Sequence, residues 1–140
     1  MKIPETAMRA LVVEDSVREQ NRLRLVLSQM GFDVDVTSNK HDALRQGRER
    51  LYDVAIVDLQ LDTLPGGDLR GIEVIAELCQ AARGFPIIVW TNQSGWEPEL
   101  KAHEAGAAAY LRKSPNAASL QECVRSLVAC GSDKRLSRGK

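Results

Sequence analysis

The sequence predicts a single α/β domain, a doubly wound sheet of five parallel strands with helices on both faces. Three observations predict it. Short apolar, β-branched runs alternate with helical patterns five times along the chain. Runs such as Val54-Ala55-Ile56-Val57 are apolar at every position, as strands buried on both faces of a parallel sheet are. At 140 residues the chain is long enough to bury one sizeable core. Consecutive βα units close by right-handed crossovers, which lay helices on both sides of the sheet.

Each element has its own signal. The first strand runs from about Met8 to Val13. Ser16-Val17-Arg18-Glu19 has capping-box spacing and opens the first helix. Leu23, Val26, Leu27 and Met30 then fall at i, i+3, i+4 and i+7 on one helical face, and Gly31 stops the helix as a C′ residue. In the second strand, Asp33 to Thr37, Val34 and Val36 alternate with acids, the pattern of an edge strand with one wet face. The second helix, Asn39 to Arg50, is mostly polar and is expected to be exposed.

The third strand is Val54 to Asp58. A loop with Leu64-Pro65-Gly66-Gly67 follows, poor material for helix or strand. The third helix begins near Gly71 and is expected to bury Ile75, Leu78, Cys79 and Ala82. The fourth strand is Ile87 to Thr91. Pro98 suits the first turn of the fourth helix, which reaches about Ala105 with a weak apolar face. The fifth strand is Ala108 to Leu111. Ser114-Pro115 read as N-cap and N1 of a fifth helix that buries Leu120, Cys123, Val124, Leu127 and Val128. Residues 131–140 are rich in Gly, Ser, Lys and Arg and read as a disordered basic tail. Residues 1–6 read as an N-terminal tail, which leaves one domain over 7–130.

Composition excludes several classes of function. The 19 basic and 19 acidic residues cancel, so no net charge draws the chain to nucleic acid or an anionic membrane. No apolar run is long enough to cross a bilayer. Met1-Lys2-Ile3-Pro4-Glu5 lacks the apolar stretch of a secretory signal. Cys79, Cys123 and Cys130 are odd in number and show no CxxC spacing, which suits reduced, partly buried thiols in a cytoplasmic protein.

Chemistry gathers at the strand ends. Open α/β sheets bind their ligands beyond the carboxyl ends of the strands. There the sequence places Glu14 and Asp15, then Asp58, Thr91 and Lys113. Any one of these alone is an ordinary turn, capping or solvated residue. Together they are specific. Carboxylates sharing a crevice repel one another and call for a cation, and hard oxygen donors with room for water suit Mg²⁺. Asp58 can then act as a nucleophile that accepts a phosphoryl group. Lys113 and Thr91 can bind the remaining phosphoryl oxygens.

These residues carry a resemblance to the response-regulator receiver domain of bacterial two-component signalling. It rests on Leu11-Val12-Val13-Glu14-Asp15, Val54-Ala55-Ile56-Val57-Asp58, Gly71-Ile72-Glu73-Val74-Ile75, Ile87-Ile88-Val89-Trp90-Thr91 and the segment from Gly106 to Lys113, and it covers roughly residues 7–130. The resemblance implies a strand order of 2-1-3-4-5. It implies that Asp58 is the phosphoacceptor and that Asp15 and Glu14 hold Mg²⁺, directly and through water. The main-chain carbonyl of Gln60 would be a further ligand. Thr91 would be the switch hydroxyl, Tyr110 the switch aromatic and Lys113 the phosphate-binding lysine. The implied donors are a histidine kinase, a phosphotransfer protein or acetyl phosphate. Such a domain is a signalling phosphoacceptor and not an enzyme in the usual sense. Its output would pass to a downstream protein through the face formed by helix 4, strand 5 and helix 5, with a homodimer on that face left open. A stand-alone receiver without direct nucleic-acid or membrane contact is expected.

The sequence departs from the family's pattern in four places. The loop Asp62–Arg70 is long, Asn92 stands where a very small residue is usual, Ser114 separates Lys113 from Pro115, and Trp90 replaces an aliphatic residue. The Lys113–Ser114 peptide is therefore open between cis and trans. Trp90 is open between core filler and a contact on the strand-4/strand-5 face. Two other functions are weighed against the phosphoacceptor. A degenerate receiver would serve only as a docking module. A flavodoxin-type FMN protein would need amide donors after strand 1, where Glu14-Asp15-Ser16 instead repels phosphate. An aspartate-nucleophile phosphatase would need an acid where Gln60 stands.

Overall fold

Five strands and five helices alternate in the computed structural model: β1 (Met8–Val13), α1 (Val17–Gln29), β2 (Phe32–Thr37), α2 (Lys40–Glu49), β3 (Val54–Val57), α3 (Arg70–Gln80), β4 (Ile87–Thr91), α4 (Trp96–Ala105), β5 (Ala109–Arg112) and α5 (Ala118–Arg138). The structure describes residues 8–61, 70–81 and 84–138, with the backbone alone for 130–138. The strands form one sheet in the order β2-β1-β3-β4-β5, every neighbouring pair parallel. Because β1 lies inside and β2 at the edge, the chain reverses direction across the sheet between β1 and β3. The crevice at such a reversal is where open α/β sheets bind ligands.

Side-chain alternation divides the core between the two faces. Leu11, Val13, Ala55, Val57, Ile87 and Val89 point to one face and pack with Ala43 and Leu44 of α2 and with Val74, Ile75 and Leu78 of α3. Ala10, Val12, Val54, Ile56, Ile88 and Trp90 point to the other and pack with Leu23 and Leu27 of α1 and with Leu120 and Val124 of α5. Each such buried aliphatic side chain stabilises the fold by about 1.5–3 kcal/mol.

Several sequence expectations need correction. The capping box at α1 is half formed: Ser16 accepts from the Glu19 N–H, but the Ser16 N–H goes to Glu14 Oε1, 3.1 Å away. The Glu19 carboxylate reaches out to β4 instead. The polar helix α2 is not simply exposed, because Ala43, Leu44 and Gly47 are buried under its charged outer face. On α3 the buried stripe is Gly71, Val74, Ile75 and Leu78. Cys79 is exposed, since it lies one residue, or about 100°, round the helix from Leu78. Ala82 and residues 62–69 of the long loop lie outside the described residues.

Helix α5 does not start at Ser114-Pro115. The Ala118 N–H is capped by Asn116 Oδ1 at 2.8 Å, and Ala117 O accepts the first helical bond, from Gln121. Asn116 lies one residue before the N-cap Ala117, and its short side chain reaches the first helical N–H two residues on. At its other end α5 continues to Arg138 in place of the expected disordered tail. Lys and Arg are good helix formers and favour the negative end of a helix dipole. No helix among the described residues is long and apolar enough to cross a membrane.

Candidate functional site

Neighbouring strands deliver the site. Val13 pairs with Val57 at the carboxyl ends of β1 and β3, so the residues that follow them leave the sheet side by side. The ladder extends past the strands. The Asp58 N–H donates to Val13 O at 3.0 Å, the Glu14 N–H to Thr37 O at 2.9 Å, and the Lys113 N–H to Thr91 O at 2.8 Å. Glu14, Asp58, Thr91 and Lys113 are thus fixed by main-chain bonds to adjacent strand ends.

The carboxylates of Glu14, Asp15 and Asp58 each offer an oxygen, and these oxygens lie within 4.8 Å of one another. Glu14 is 1% exposed and Asp58 6%. The Lys113 ammonium closes the cluster, 2.9 Å from Asp58 Oδ2 and 2.8 Å from Glu14 Oε2. The contact with Asp58 is a directed hydrogen bond. The one with Glu14 is a close ion pair off the hydrogen-bonding direction, which leaves Glu14 Oε2 buried without a hydrogen-bond donor. Asp58 Oδ1 accepts from the Gln60 N–H at 3.2 Å.

Electrostatics show what this arrangement lacks. Burial pushes the Glu14 carboxyl up to about 7; Lys113 pulls it down and the Asp58 charge raises it further. Burial works against the Lys113 charge, yet the hydrogen bond to Asp58 and the close negative charges of Asp58 and Glu14 outweigh it and raise its pKa. The single Lys113 ammonium is shared between the Glu14 and Asp58 carboxylates. A buried acid whose pKa is pushed up to about 7, with an oxygen that no donor reaches, marks a site that further positive charge would stabilise. Hard oxygen donors in this number fit Mg²⁺.

Thr91 is fully buried, and its Oγ1 accepts from the Gln93 N–H at 3.3 Å. Tyr110, half-buried, donates its hydroxyl to Gln93 O at 2.8 Å. Both residues that the sequence marked as switch elements therefore grip the main chain of Gln93. Asn92, which stands where the family usually has a very small residue, is exposed. No peptide bond among the described residues is cis, so Lys113–Ser114 is trans. Trp90 is core, 1% exposed on the face covered by α1 and α5.

Helix α3 starts directly against the site. The Gly71 N–H donates to Leu59 O at 2.9 Å. A Cβ on Gly71 would stand 2.3 Å from Asp58 O and 2.5 Å from Leu59 Cα. Only glycine lets the helix approach the main chain that carries Asp58.

Sequence reasoning missed the residues that brace the site from α1. Gln20 Nε2 donates to Glu14 O at 2.5 Å. Glu19 Oε1 accepts from Trp90 Nε1 at 3.3 Å, and Arg22 donates to Ser114 O. These are contacts between distant parts of the chain, and the helix's own periodicity carries no signal for them.

Comparison with known proteins agrees with this geometry. A family model described as the response regulator receiver domain matches residues 10–125. The two-component response regulator PhoP of Pseudomonas aeruginosa is 33% identical over 106 residues, 76% of this chain and 45% of that protein. The chain spans less than half the length of the first curated relatives it matches. Among solved structures, the response regulator TrrA of Thermotoga maritima, crystallised in complex with Mg(2+)-BeF, is 31% identical with a TM-score of 0.74, covering 86% of this chain and 98% of that one. The signal receiver domain of a LuxO repressor protein from Vibrio parahaemolyticus shares the fold, with a TM-score of 0.84 at 21% identity, over 96% of this chain and 99% of that one.

Proposed function

As a chain that belongs to the response-regulator receiver domain family, we propose, this protein is a phosphoacceptor switch that takes a phosphoryl group on Asp58. The observation that carries the proposal is the setting of Asp58: a nearly buried carboxylate, grouped with Glu14 and Asp15, with Lys113 on one oxygen and the Gln60 amide beside the other. In this account an Asp58 carboxylate oxygen attacks phosphorus. The new O–P bond forms as the bond from phosphorus to the donor breaks, and the donor's leaving group keeps the electron pair. The donor is a histidine kinase, a phosphotransfer protein or a small acyl phosphate. The protein modifies itself and turns over no separate substrate.

Each residue has a task. Glu14, Asp15, Asp58 and the main-chain carbonyl of Gln60 would hold Mg²⁺, which when bound supplies charge neutralisation for the acids and the incoming phosphoryl group. Lys113 already sits on Asp58 Oδ2; after transfer its ammonium pairs with a phosphoryl oxygen instead. Thr91 turns its hydroxyl from Gln93 towards the same group and donates to it. The gain is a charge-assisted contact.

Output follows from what Thr91 releases. Its hydroxyl and that of Tyr110 both hold Gln93, at the start of the segment leading to α4. Moving Thr91 alters that grip and biases a two-state element at α4, β5 and α5. Helix α4 buries only Ala102 and exposes Trp96 and Leu100 at i and i+4, an apolar pair suited to a downstream protein partner or a second copy. A cytoplasmic setting agrees with the free thiols of Cys79 and Cys123.

Mg²⁺-dependent binding of beryllofluoride, a phosphoryl analogue, tests the proposal. Saturable uptake that requires Mg²⁺ and is lost in Asp58→Asn is expected. A folded protein that takes up none would instead be a docking module that works without phosphorylation.

A further inference from the structure

Lys113 is held from behind by a side chain that never touches the phosphoryl site. On β5 the last sheet bond runs from the Lys113 N–H to Thr91 O at 2.8 Å. Beyond it the chain leaves the sheet, and α5 begins only at Ala118. Across this gap Arg22 of α1 donates to Ser114 O, the carbonyl of the residue that follows Lys113. The other bonds in the segment, from Ser114 Oγ to Asn116 O and from the Ala118 N–H to Asn116 Oδ1, are local to it. Arg22 is thus the tie from α1 to the peptide that carries the lysine.

Arg22 is itself fixed on two further sides. Its guanidinium lies 5.7 Å from the centre of the Trp90 ring and 3.8 Å from Glu19 Oε2. Glu19 Oε1 accepts from Trp90 Nε1. Trp90 precedes Thr91 on β4 and pairs with Leu111 of β5. The planar fork of arginine can stack on an aromatic face and still direct an N–H at a carbonyl, which a lysine at this position cannot do in the same way.

We propose that Arg22 is a positioning residue for Lys113: by clasping Ser114 O it sets where the lysine ammonium falls, and so tunes the capture of a phosphoryl group at Asp58. This rests on the phosphoacceptor function proposed above. Removing Arg22 has different consequences for two ligands. Lys113 binds the phosphoryl oxygens, so a loosened lysine weakens capture of the phosphoryl analogue. In the resting site Lys113 competes with a cation for Glu14 and Asp58, so a loosened lysine leaves Mg²⁺ affinity unchanged or tighter.

The test compares the wild type with Arg22→Ala, Arg22→Lys and Lys113→Met, each alone, and with the double variant of Arg22→Ala and Lys113→Met. Mg²⁺ affinity is read by calorimetry and Mg²⁺-dependent beryllofluoride affinity by fluorine NMR. In Arg22→Ala, beryllofluoride affinity falls about tenfold, the size of a hydrogen bond from a charged donor, while Mg²⁺ affinity does not fall. Arg22→Lys recovers only part of the loss. In the Lys113→Met background, Arg22→Ala has no further effect on beryllofluoride, because the side chain it acts through is gone. Equal loss for both ligands, no loss, or an undiminished Arg22→Ala effect without Lys113 would overturn the proposal. A wild type that binds no beryllofluoride would instead overturn the phosphoacceptor function itself.

Discussion

Replacing Glu14 with Gln removes one charge from the acid cluster and keeps the side chain's shape. In the wild type, burial moves the Glu14 pKa from its ordinary 4.5 to about 7. Between those values the folded protein holds a proton that the unfolded chain has released. Glu14's contribution to stability is therefore complete below pH 4.5 and is lost as pH rises through about 7. One pKa unit corresponds to about 1.36 kcal/mol, so the loss across this window is about 3 kcal/mol. Gln does not titrate. Urea unfolding of both proteins in metal-free buffer, at a series of pH values, reads the difference. The stability of Glu14→Gln relative to the wild type should climb by about 3 kcal/mol from the acid to the alkaline end of the window. With Mg²⁺ at about a hundred times its Kd the wild type should gain about 2.7 kcal/mol, and the variant less. Two parallel stability curves, with or without Mg²⁺, would refute the idea that burial and charge crowding at Glu14 prepare a cation site.

Other perturbations test the frame around the site. Gly71→Ala puts a methyl group into the main chain of Asp58 and Leu59, and overpacking against backbone should cost about 1–3 kcal/mol in urea unfolding. Trp90→Phe deletes the bond to Glu19 and shrinks the ring under Arg22; a loss of about 1–3 kcal/mol is expected, and an unchanged midpoint would mean that this buried network is energetically idle. Tyr110→Phe cuts the bond to Gln93 O, which should cost about 0.5–1.5 kcal/mol and speed amide exchange in the segment leading to α4.

The fold was legible because strands buried on both faces leave apolar runs that no other element explains. Val54 to Val57 and Ile87 to Thr91 are buried at every position, and those runs mark β3 and β4 directly. The ends were less legible. The start of α5 was misplaced because Ser114-Pro115 has the chemistry of an N-cap and N1, and only the path of the chain after Lys113 puts the first helical residue at Ala118. Cys79 was misplaced by one position on a helix, where one step turns a side chain from core to surface. At the site, Glu14, Asp15, Asp58, Thr91 and Lys113 could be named because strand ends in a parallel sheet share an edge. The shared grip of Thr91 and Tyr110 on Gln93, and the brace from Arg22 to Ser114, could not, since they depend on side chains meeting across distant segments.

The phosphoacceptor role of Asp58 is tested most directly by incubating the protein with acetyl phosphate and Mg²⁺ and following its intact mass. The account predicts one added phosphoryl group, dependent on Mg²⁺, located at Asp58 after reductive trapping of the acyl phosphate, and absent from Asp58→Asn. An Asp58→Asn protein that gains the same mass under the same conditions would contradict it.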